Sequence, residues 1–209
     1  MRRYKKNKMK KNAVSVLLLI NVILFIIQIS FRGFTESFML VSADIWVRPW
    51  IIITSMFLHG GVAHLFFNMY ALYLFGTLVE RSIGTKKFLL VYFTAGILAA
   101  MLPQYSAALG ASGAIMGIIG LVIMLFPDMK ILFFFAIPMS MRTAGIIFAA
   151  IEVFGLLVPV HTGIAHYAHL VGLAVGLIFG YYIMKKKGGV RRFYAGVPSQ
   201  SDFDRHYGH

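Results

Sequence analysis

Long runs of apolar residues, rather than an alternation of apolar and polar positions, dominate the hydrophobic pattern of this chain. The first run, Ala13 to Phe31, carries no charge over 19 residues. That length is close to the roughly 20 residues that a helix needs to cross a bilayer. Later runs end at charged residues, prolines or glycines. The pattern predicts six membrane-spanning helices, at about 13–31, 62–79, 88–102, 112–126, 143–158 and 164–184.

Two further apolar stretches are too short to cross a bilayer. Residues 50–58 stop at His59, so the pattern predicts one long loop over residues 32–61. Residues 131–141 are interrupted by Pro138, which favours a connector that lies at the membrane surface. The expected fold is therefore an all-α membrane protein, a bundle of six transmembrane helices with a long outer first loop.

Composition supports a lipid-facing surface and excludes several kinds of chemistry. Hydrophobic residues make up 59% of the chain and charged residues only 13%, whereas about a quarter of the residues in a soluble domain are charged. The chain has no cysteine, so disulfides, thiolate metal sites and cysteine nucleophiles are excluded. The first apolar run is longer than that of a secretory signal and lacks a small-residue cleavage site, so we expect it to be retained as the first span.

Basic residues are distributed unevenly between the two sides of the predicted bundle. An even number of spans puts both termini on one side, and that side collects 18 of the 20 lysine and arginine residues, leaving Arg32 and Arg48 on the other. This asymmetry predicts cytoplasmic termini, with the basic residues at anionic lipid headgroups rather than on nucleic acid, and we expect the plasma membrane as the location. The expected organisation is a basic cytoplasmic tail over residues 1–12, a membrane domain over 13–187 and a polar, disordered cytoplasmic tail over 188–209.

Four polar side chains within the predicted spans lie at a similar depth. They are His64 and Asn68 in the second span, Ser112 at the start of the fourth and His169 in the sixth. Because these spans all begin on the outer side, a rise of 1.5 Å per residue places the four within roughly the outer 10 Å of the membrane. His64 and Asn68 are four residues apart and share one helical face. Polar groups are costly in lipid, so four at one depth indicate a functional site.

Ser112 and His169 have the residue types and the surroundings of a nucleophile and its general base. Ser112 lies in Gly110-Ala-Ser-Gly113 at a loop-to-helix junction, where its hydroxyl is accessible and its amide has no intrahelical partner. Glycines on one face of the fourth and sixth helices let these helices pack closely, which puts Ser112 and His169 at the same height. These glycines are Gly113, Gly117 and Gly120 in the fourth span and Gly172 and Gly176 in the sixth.

A serine nucleophile also needs hydrogen-bond donors for the oxyanion of its tetrahedral intermediate. The Ser112 amide, His64 and the Asn68 side chain are the available donors. No acidic residue suits a third catalytic position; Asp128, for example, lies at the cytoplasmic end of the fourth span. We therefore predict a dyad of Ser112 and His169.

The other histidines and one carboxylate within a span have no predicted catalytic role. His59 lies beyond the glycine break that precedes the second span, and we expect a loop histidine that bonds to backbone and points away from His64. His161 and His166 flank a short outer loop and are expected at the surface. Glu152, near the middle of the fifth span, is expected to bond to a neighbouring helix, with a part in gating as the alternative. No HExxH motif or third ligand accompanies His59 and His64, so no metal site is predicted.

Four segments together resemble the motifs of the rhomboid family of intramembrane serine proteases. His59-Gly-Gly-Val-Ala-His64-Leu-Phe-Phe-Asn68 resembles the family's HxxxxHxxxN. Gly110-Ala-Ser112-Gly113 matches GxSG, and Ala168-His169-Leu-Val-Gly172-Leu-Ala-Val-Gly176 resembles AHxxGxxxG. Glu80-Arg-Ser-Ile-Gly84 resembles the ExxxG turn after the second helix. The four keep their order and spacing over about residues 50–180.

The resemblance implies a rhomboid-type six-helix bundle and an endopeptidase that cleaves single-pass transmembrane proteins within or near the outer end of their spans. Small residues at the cleavage point and helix-weakening residues beyond it would be favoured. The resemblance also implies that His64 and Asn68 help to bind the oxyanion and that no cofactor is needed. Substrate would enter laterally, with spans two and five and the loop 103–110 as candidate gates.

Two positions depart from the family's pattern. Many members have Trp-Arg in the first loop, whereas this chain has Trp50-Ile51, with Arg48 nearby. Many members also have an aromatic residue four positions after the serine, which packs under the catalytic imidazole. Here that residue is Met116, and methionine can also pack against a ring. We expect activity to be retained, with a less constrained His169.

Two other functions fit a protein with several spans. A non-catalytic relative that binds membrane clients typically loses the serine or the histidine, whereas this chain keeps Ser112, His169, His64 and Asn68. A transporter or channel is expected to have repeated halves or charges through the full depth of the membrane. No repeat is evident and the four polar groups stop in the outer half, so proteolysis is the favoured function.

Overall fold

The described chain is mostly helical, and each of the six predicted spans coincides with a helix to within a few residues. The computed structural model describes residues 13–101, 107–133, 136–158 and 165–186, and the statements below concern these residues. Both predicted tails lie outside them. The helices are α1 (Ala13–Ser30), α2 (Phe34–Phe38), α3 (Ile51–Thr54), α4 (Val62–Ala71), α5 (Thr77–Ile83), α6 (Thr85–Met101), α7 (Ser112–Leu125), α8 (Met141–Leu157) and α9 (His166–Lys186).

Three stretches of helix in the described residues are long and apolar enough to cross a membrane. A π-helical turn, Leu72–Gly76, joins α4 to α5, so that Val62–Ile83 runs as one helix. This helix, α1 and α9 reach mean hydropathies of 1.5, 2.6 and 1.6. The helices α6 and α8, with 17 residues each, and α7, with 14, are shorter. That these three also cross the membrane stays a prediction.

The connector between α7 and α8 corrects the expectation of an all-α fold. Its strands β1 (Lys130–Phe133) and β2 (Ile137–Ser140) pair antiparallel, with Leu132 opposite Pro138. Branched and aromatic side chains favour an extended backbone in this segment. Proline is tolerated because each strand of a two-stranded sheet has an unpaired edge, toward which the position without an N–H can face.

The segment between α1 and α4 is anchored by polar contacts. Arg48 forms an ion pair with Asp44 and donates a hydrogen bond to the carbonyl oxygen of Glu36 (3.1 Å). Leu40 and Ala108 exchange two backbone hydrogen bonds of 2.9 Å, which tie this segment to the turn before α7. Arg48 therefore anchors this loop through its ion pair and its bond to the backbone.

Helix α7 lies at the centre of the bundle and packs closely against α9. All of its residues from Gly113 to Val122 are buried. A Cβ atom added to Gly172 would overlap the carbonyl oxygen of Gly113, and one added to Gly176 would overlap that of Gly117. The predicted packing of the two glycine faces, backbone against backbone, is confirmed.

Glu80 is a buried carboxylate that joins the end of α5 to the start of α1. The amides of Ala13 and Val14 donate to its two oxygens (2.8 and 3.1 Å), and the Thr85 hydroxyl donates to Oε1 (2.6 Å). The first amides of a helix have no intrahelical partner and carry partial positive charge, so this carboxylate caps α1. Gly84 then ends α5 with φ of +86°, a left-handed conformation that favours glycine.

The position of His59 differs from the prediction. Its backbone exchanges two hydrogen bonds with the side chain of Gln28 (2.8 and 3.0 Å). Its ring is only 1% exposed and lies edge-on to the His64 ring, with 5.2 Å between the centroids. The ring does not point away, because the two glycines between these histidines let the chain fold back onto the first turn of α4. Burial, and then the charge of His64, lower the pKa of His59 from 6.5 to about 4.

We expect Gly176→Val to destabilise the bundle, because the new side chain forces α9 away from the Gly117 carbonyl. Overpacking of this kind costs about 1–3 kcal/mol or more. Thermal unfolding of the purified protein in detergent measures the effect as a lower Tm. Gly61→Ala is the control, since Gly61 is extended (φ 164°) and nothing lies within 4 Å of an added Cβ. Equal Tm values for the two variants would contradict the close contact.

We expect His59 to make the protein less stable in mild acid. In the unfolded chain His59 takes up a proton near its ordinary pKa of 6.5, whereas in the folded protein it does so only near about 4. Between these values the unfolded state binds more protons, so stability falls as the pH falls. The loss of Tm between pH 7 and pH 5 is therefore expected to be smaller for His59→Leu than for the wild type. The same loss in both proteins would refute this.

Candidate active site

Ser112 begins helix α7 after a tight turn. Ala111 is the N-cap, and the first intrahelical hydrogen bond runs from the Ile115 amide to the Ala111 carbonyl (3.0 Å). The Ser112 amide therefore precedes the hydrogen-bonded part of the helix. Gly110 has φ of +130°, which favours glycine, and its amide donates to the Ser55 carbonyl (2.9 Å). This turn holds the Ser112 side chain at the N-terminal end of α7.

Ser112 and His169 meet across the contact between α7 and α9. His169 lies in the first turn of α9, where its amide donates to the Ala165 carbonyl (3.2 Å). Its Nε2 atom is 2.8 Å from Ser112 Oγ, within hydrogen-bond distance. The glycine contacts that bring the helices together also bring these side chains together. This is the distance that a serine nucleophile and a histidine base require.

His64 faces the same small space as Ser112. The Gly60 amide donates to His64 Nδ1 (3.3 Å), so a neutral His64 carries its proton on Nε2. A methyl group added to Gly110 would lie 3.0 Å from His64 Nε2 and 3.7 Å from Ser112 Oγ. The Nε2–H group of His64 is thus a hydrogen-bond donor beside the serine hydroxyl.

Asn68 lies one helical turn after His64, on the same side of α4. Its side chain is buried, and its Nδ2 atom has no hydrogen-bond partner among the described residues. Buried polar atoms without a partner are rare in proteins. The amide of Asn68 is therefore an unused donor on the helix face that carries His64.

Glu152 is the residue of this site that the sequence pattern missed. Its Oε1 atom lies 2.9 Å from His169 Nδ1, and its Oε2 atom lies 2.6 Å from His166 Nδ1. A hydrogen bond to a neighbouring helix was predicted and is present. The expectation that no acidic side chain stands beside the serine–histidine pair is wrong.

A signal for this contact was present in the sequence. Glu152 lies five residues before the end of α8, and His169 lies three residues after the start of α9. At 1.5 Å per residue these distances are about 7.5 and 4.5 Å, so the two side chains have similar depths on antiparallel neighbours. Placing Glu152 at the middle of its span hid this match.

His166 is buried, not at the surface as predicted. It is 6% exposed, and its ring lies against Gly155 of α8, where an added Cβ would overlap the ring. The lack of a side chain at Gly155 gives the imidazole room to lie between the helices and reach Glu152. His161, which was also expected at the surface, lies outside the described residues.

A small cavity opens beside Ser112. Its volume is about 50 Å³. Small side chains form most of the wall near the serine, namely Ala99, Gly113, Ala114, Ala165 and Ala168. In the described part of the chain, no group of three histidine or acidic side chains is arranged to share a metal ion.

The chain is similar to rhomboid proteins over most of its length. A family model described as the Rhomboid domain matches residues 47–186. The chain is 33% identical, over 84% of its length, to Rhomboid protein 1, mitochondrial, of Saccharomyces cerevisiae, of which it covers 54%. It is 31% identical, over 70% of its length, to RHOMBOID-like protein 6, mitochondrial, of Arabidopsis thaliana, of which it covers 48%. It therefore spans about half the length of these two relatives.

A bacterial relative is covered more fully. The chain is 30% identical to Rhomboid protease GlpG of Haemophilus influenzae over 63% of its own length and 68% of that protein. The Rhomboid domain match includes α4, α7 and α9, the helices that carry His64, Ser112 and His169. With its long apolar helices, the chain is an integral membrane protein. It belongs to the rhomboid family.

Proposed function

We propose that this protein is an intramembrane serine endopeptidase that cleaves transmembrane segments of other membrane proteins near the outer face of the membrane. The observation that carries the proposal is the 2.8 Å contact between His169 Nε2 and Ser112 Oγ. The contact lies where the apolar helices α7 and α9 begin, and an unpaired serine and histidine there would be costly. Membership of a family that includes a named protease supports the same function.

The mechanism follows from the roles of the two side chains. His169 Nε2 takes the proton of the Ser112 hydroxyl while Oγ attacks the carbonyl carbon of the scissile peptide. The resulting imidazolium then gives this proton to the amine nitrogen as the peptide C–N bond breaks, so that the amine part of the substrate leaves and the acyl part stays on Ser112 as an ester. Water gives a proton to His169 as it attacks the ester, and the imidazolium returns this proton to Ser112 Oγ when the ester bond breaks.

Three donors are available for the oxyanion that forms at each step. The Ser112 amide precedes the first hydrogen bond of α7, and His64 Nε2–H faces the space beside Oγ. Asn68 supplies an amide without another partner in the described residues. Donors that are already in place when charge develops stabilise it more than mobile water does. We assign the oxyanion site to these three groups.

The substrates in this proposal are single-pass proteins with a small residue at the cleavage point. The cavity of about 50 Å³ beside Ser112 is lined mostly by alanine, glycine and serine, together with Leu40, Met56 and Leu109, and its size suits a small side chain. Substrate would enter between spans two and five. Part of the other candidate gate, the loop 103–110, lies outside the described residues. Six spans with both termini in the cytoplasm, as the basic residues favour, would set the outer orientation of the site, with the plasma membrane as its location.

A fluorophosphonate probe tests the proposal without a known substrate. We expect the purified protein to be labelled covalently, Ser112→Ala to give no label, and His169→Ala to react at least about 100-fold more slowly, because the serine then lacks its base. Ser30→Ala is the matched control, since the Ser30 hydroxyl bonds to the Ile26 carbonyl (2.7 Å) within α1. Its labelling should equal that of the wild type.

The opposite outcome of the labelling experiment is equally informative. If folded wild-type protein gives no label in detergent or in lipid, proteolysis is refuted and a client-binding relative without activity becomes the better account. Label that persists in Ser112→Ala would refute the assignment of the nucleophile.

The size of the cavity predicts which residue is accepted on the amino side of the scissile bond. In a transmembrane reporter that the protein cleaves, we expect alanine at this position to give a kcat/KM at least about tenfold higher than leucine or phenylalanine. The larger side chains do not fit the space beside Gly113 and Ala168. Equal cleavage of the alanine and phenylalanine reporters would contradict the assignment of this cavity to the substrate.

A further inference from the structure

Glu152 forms a bridge between two histidines of α9. One carboxylate oxygen is 2.9 Å from His169 Nδ1 and the other is 2.6 Å from His166 Nδ1. The residue is 8% exposed, so water contributes little to its solvation. Both of these partners are ring nitrogens that can donate a proton. The contacts therefore suit an ionised carboxylate, which can only accept.

The contact on Nδ1 decides what the other nitrogen of His169 can do. A neutral imidazole carries one proton, on either Nδ1 or Nε2. A carboxylate beside Nδ1 keeps the proton there, which leaves the lone pair of Nε2 directed at the Ser112 hydroxyl, 2.8 Å away. In the opposite tautomer Nε2 would be a donor and could not take the serine proton. Glu152 thus selects the tautomer of His169 in which Nε2 can act as the base that the proposed function requires.

His166 holds the carboxylate in the orientation that serves His169. Its ring occupies the room left by Gly155 and reaches the second oxygen of Glu152. With both oxygens engaged, the carboxylate cannot turn away without losing a hydrogen bond. A buried carboxylate is costly unless it is hydrogen-bonded, and the two ring nitrogens supply one hydrogen bond to each of its oxygens.

We propose that Glu152 is the positioning residue of a Ser112–His169–Glu152 triad, which extends the dyad expected from the sequence. This inference rests on the proposed function. During attack, the bond from Ser112 Oγ to the substrate carbon forms and the serine proton moves to His169 Nε2. Glu152 stays ionised throughout, because its role is to stabilise the imidazolium at Nδ1 rather than to receive the proton.

Glu152→Gln tests the charge while keeping the shape of the side chain. The glutamine oxygen can still accept from His169 Nδ1, but the negative charge is lost. We expect kcat for a transmembrane reporter, and the rate of fluorophosphonate labelling, to fall by about 100-fold or more, because general-base catalysis depends on the correct tautomer. KM should change by less than about threefold, since Glu152 does not line the cavity beside Ser112.

Glu80→Gln is the matched control, because Glu80 is the other buried carboxylate of the described helices. It contacts the start of α1 and Thr85 but not the serine–histidine pair. We expect a lower Tm with kcat per folded molecule close to that of the wild type. A drop in kcat for Glu152→Gln that only follows its folded fraction would reduce Glu152 to a structural role and overturn the proposal.

The unaltered protein offers a second test that needs no Glu152 variant. With ¹⁵N-labelled histidine, NMR is expected to show the His169 proton on Nδ1, strongly shifted downfield by the carboxylate. This signal should persist in Ser112→Ala and disappear in His169→Ala. A proton on Nε2 instead would overturn the proposal even if Glu152→Gln fails to fold.

The outcomes separate this inference from the proposed function. Labelling of the wild type but not of Ser112→Ala, together with wild-type kcat in Glu152→Gln, overturns the triad and leaves the serine protease intact. Folded wild type that neither cleaves nor labels overturns both. Labelling lost in Ser112→Ala, with a large loss of kcat and an unchanged KM in Glu152→Gln, supports both.

Discussion

The close contact between α7 and α9 sets the position of the groups at the candidate site. Lipid gives two helices little hydrophobic reason to associate, so packing of backbone against backbone has to hold them together. Gly172 and Gly176 lie directly over the carbonyl groups of Gly113 and Gly117, with no room for a side chain. Ser112 and His169 stand at the end of this contact where α7 and α9 begin, and their 2.8 Å separation follows from it.

A second constraint is that polar groups inside the membrane domain must find partners within the protein. Glu80 accepts hydrogen bonds from the first amides of α1, and Glu152 forms hydrogen bonds with two histidine rings. The side chain of Gln28 exchanges two hydrogen bonds with the backbone of His59. These contacts join segments that are far apart in sequence, so satisfying the polar groups also orders the bundle. At Glu152 the same requirement brings a carboxyl group next to His169, the proposed general base.

Features that depend on local sequence were predicted, whereas most features that depend on contacts between distant segments were not. The helices and the glycine faces were predicted because they depend on hydropathy and on spacing within one helix, and the pairing of Ser112 with His169 was predicted by matching the two faces. The hairpin after α7 was missed because four-residue strands leave a weak pattern. The burial of His166 and the contact of Glu152 with His169 were missed because both depend on a neighbouring helix. Gly155, which makes room for His166, has no signature in the sequence by itself.

The sequence by itself determined that the protein is a bundle of apolar helices with a serine and a histidine at one depth. Helix length, hydropathy and the position of a residue along its helix are local properties, and the thickness of the bilayer constrains each of them directly. Only the tertiary structure decided which atoms meet at that depth. The rotation and lateral order of helices depend on side-chain packing between distant segments, so the contact of Glu152 with His169 became visible only once α8 and α9 lay side by side.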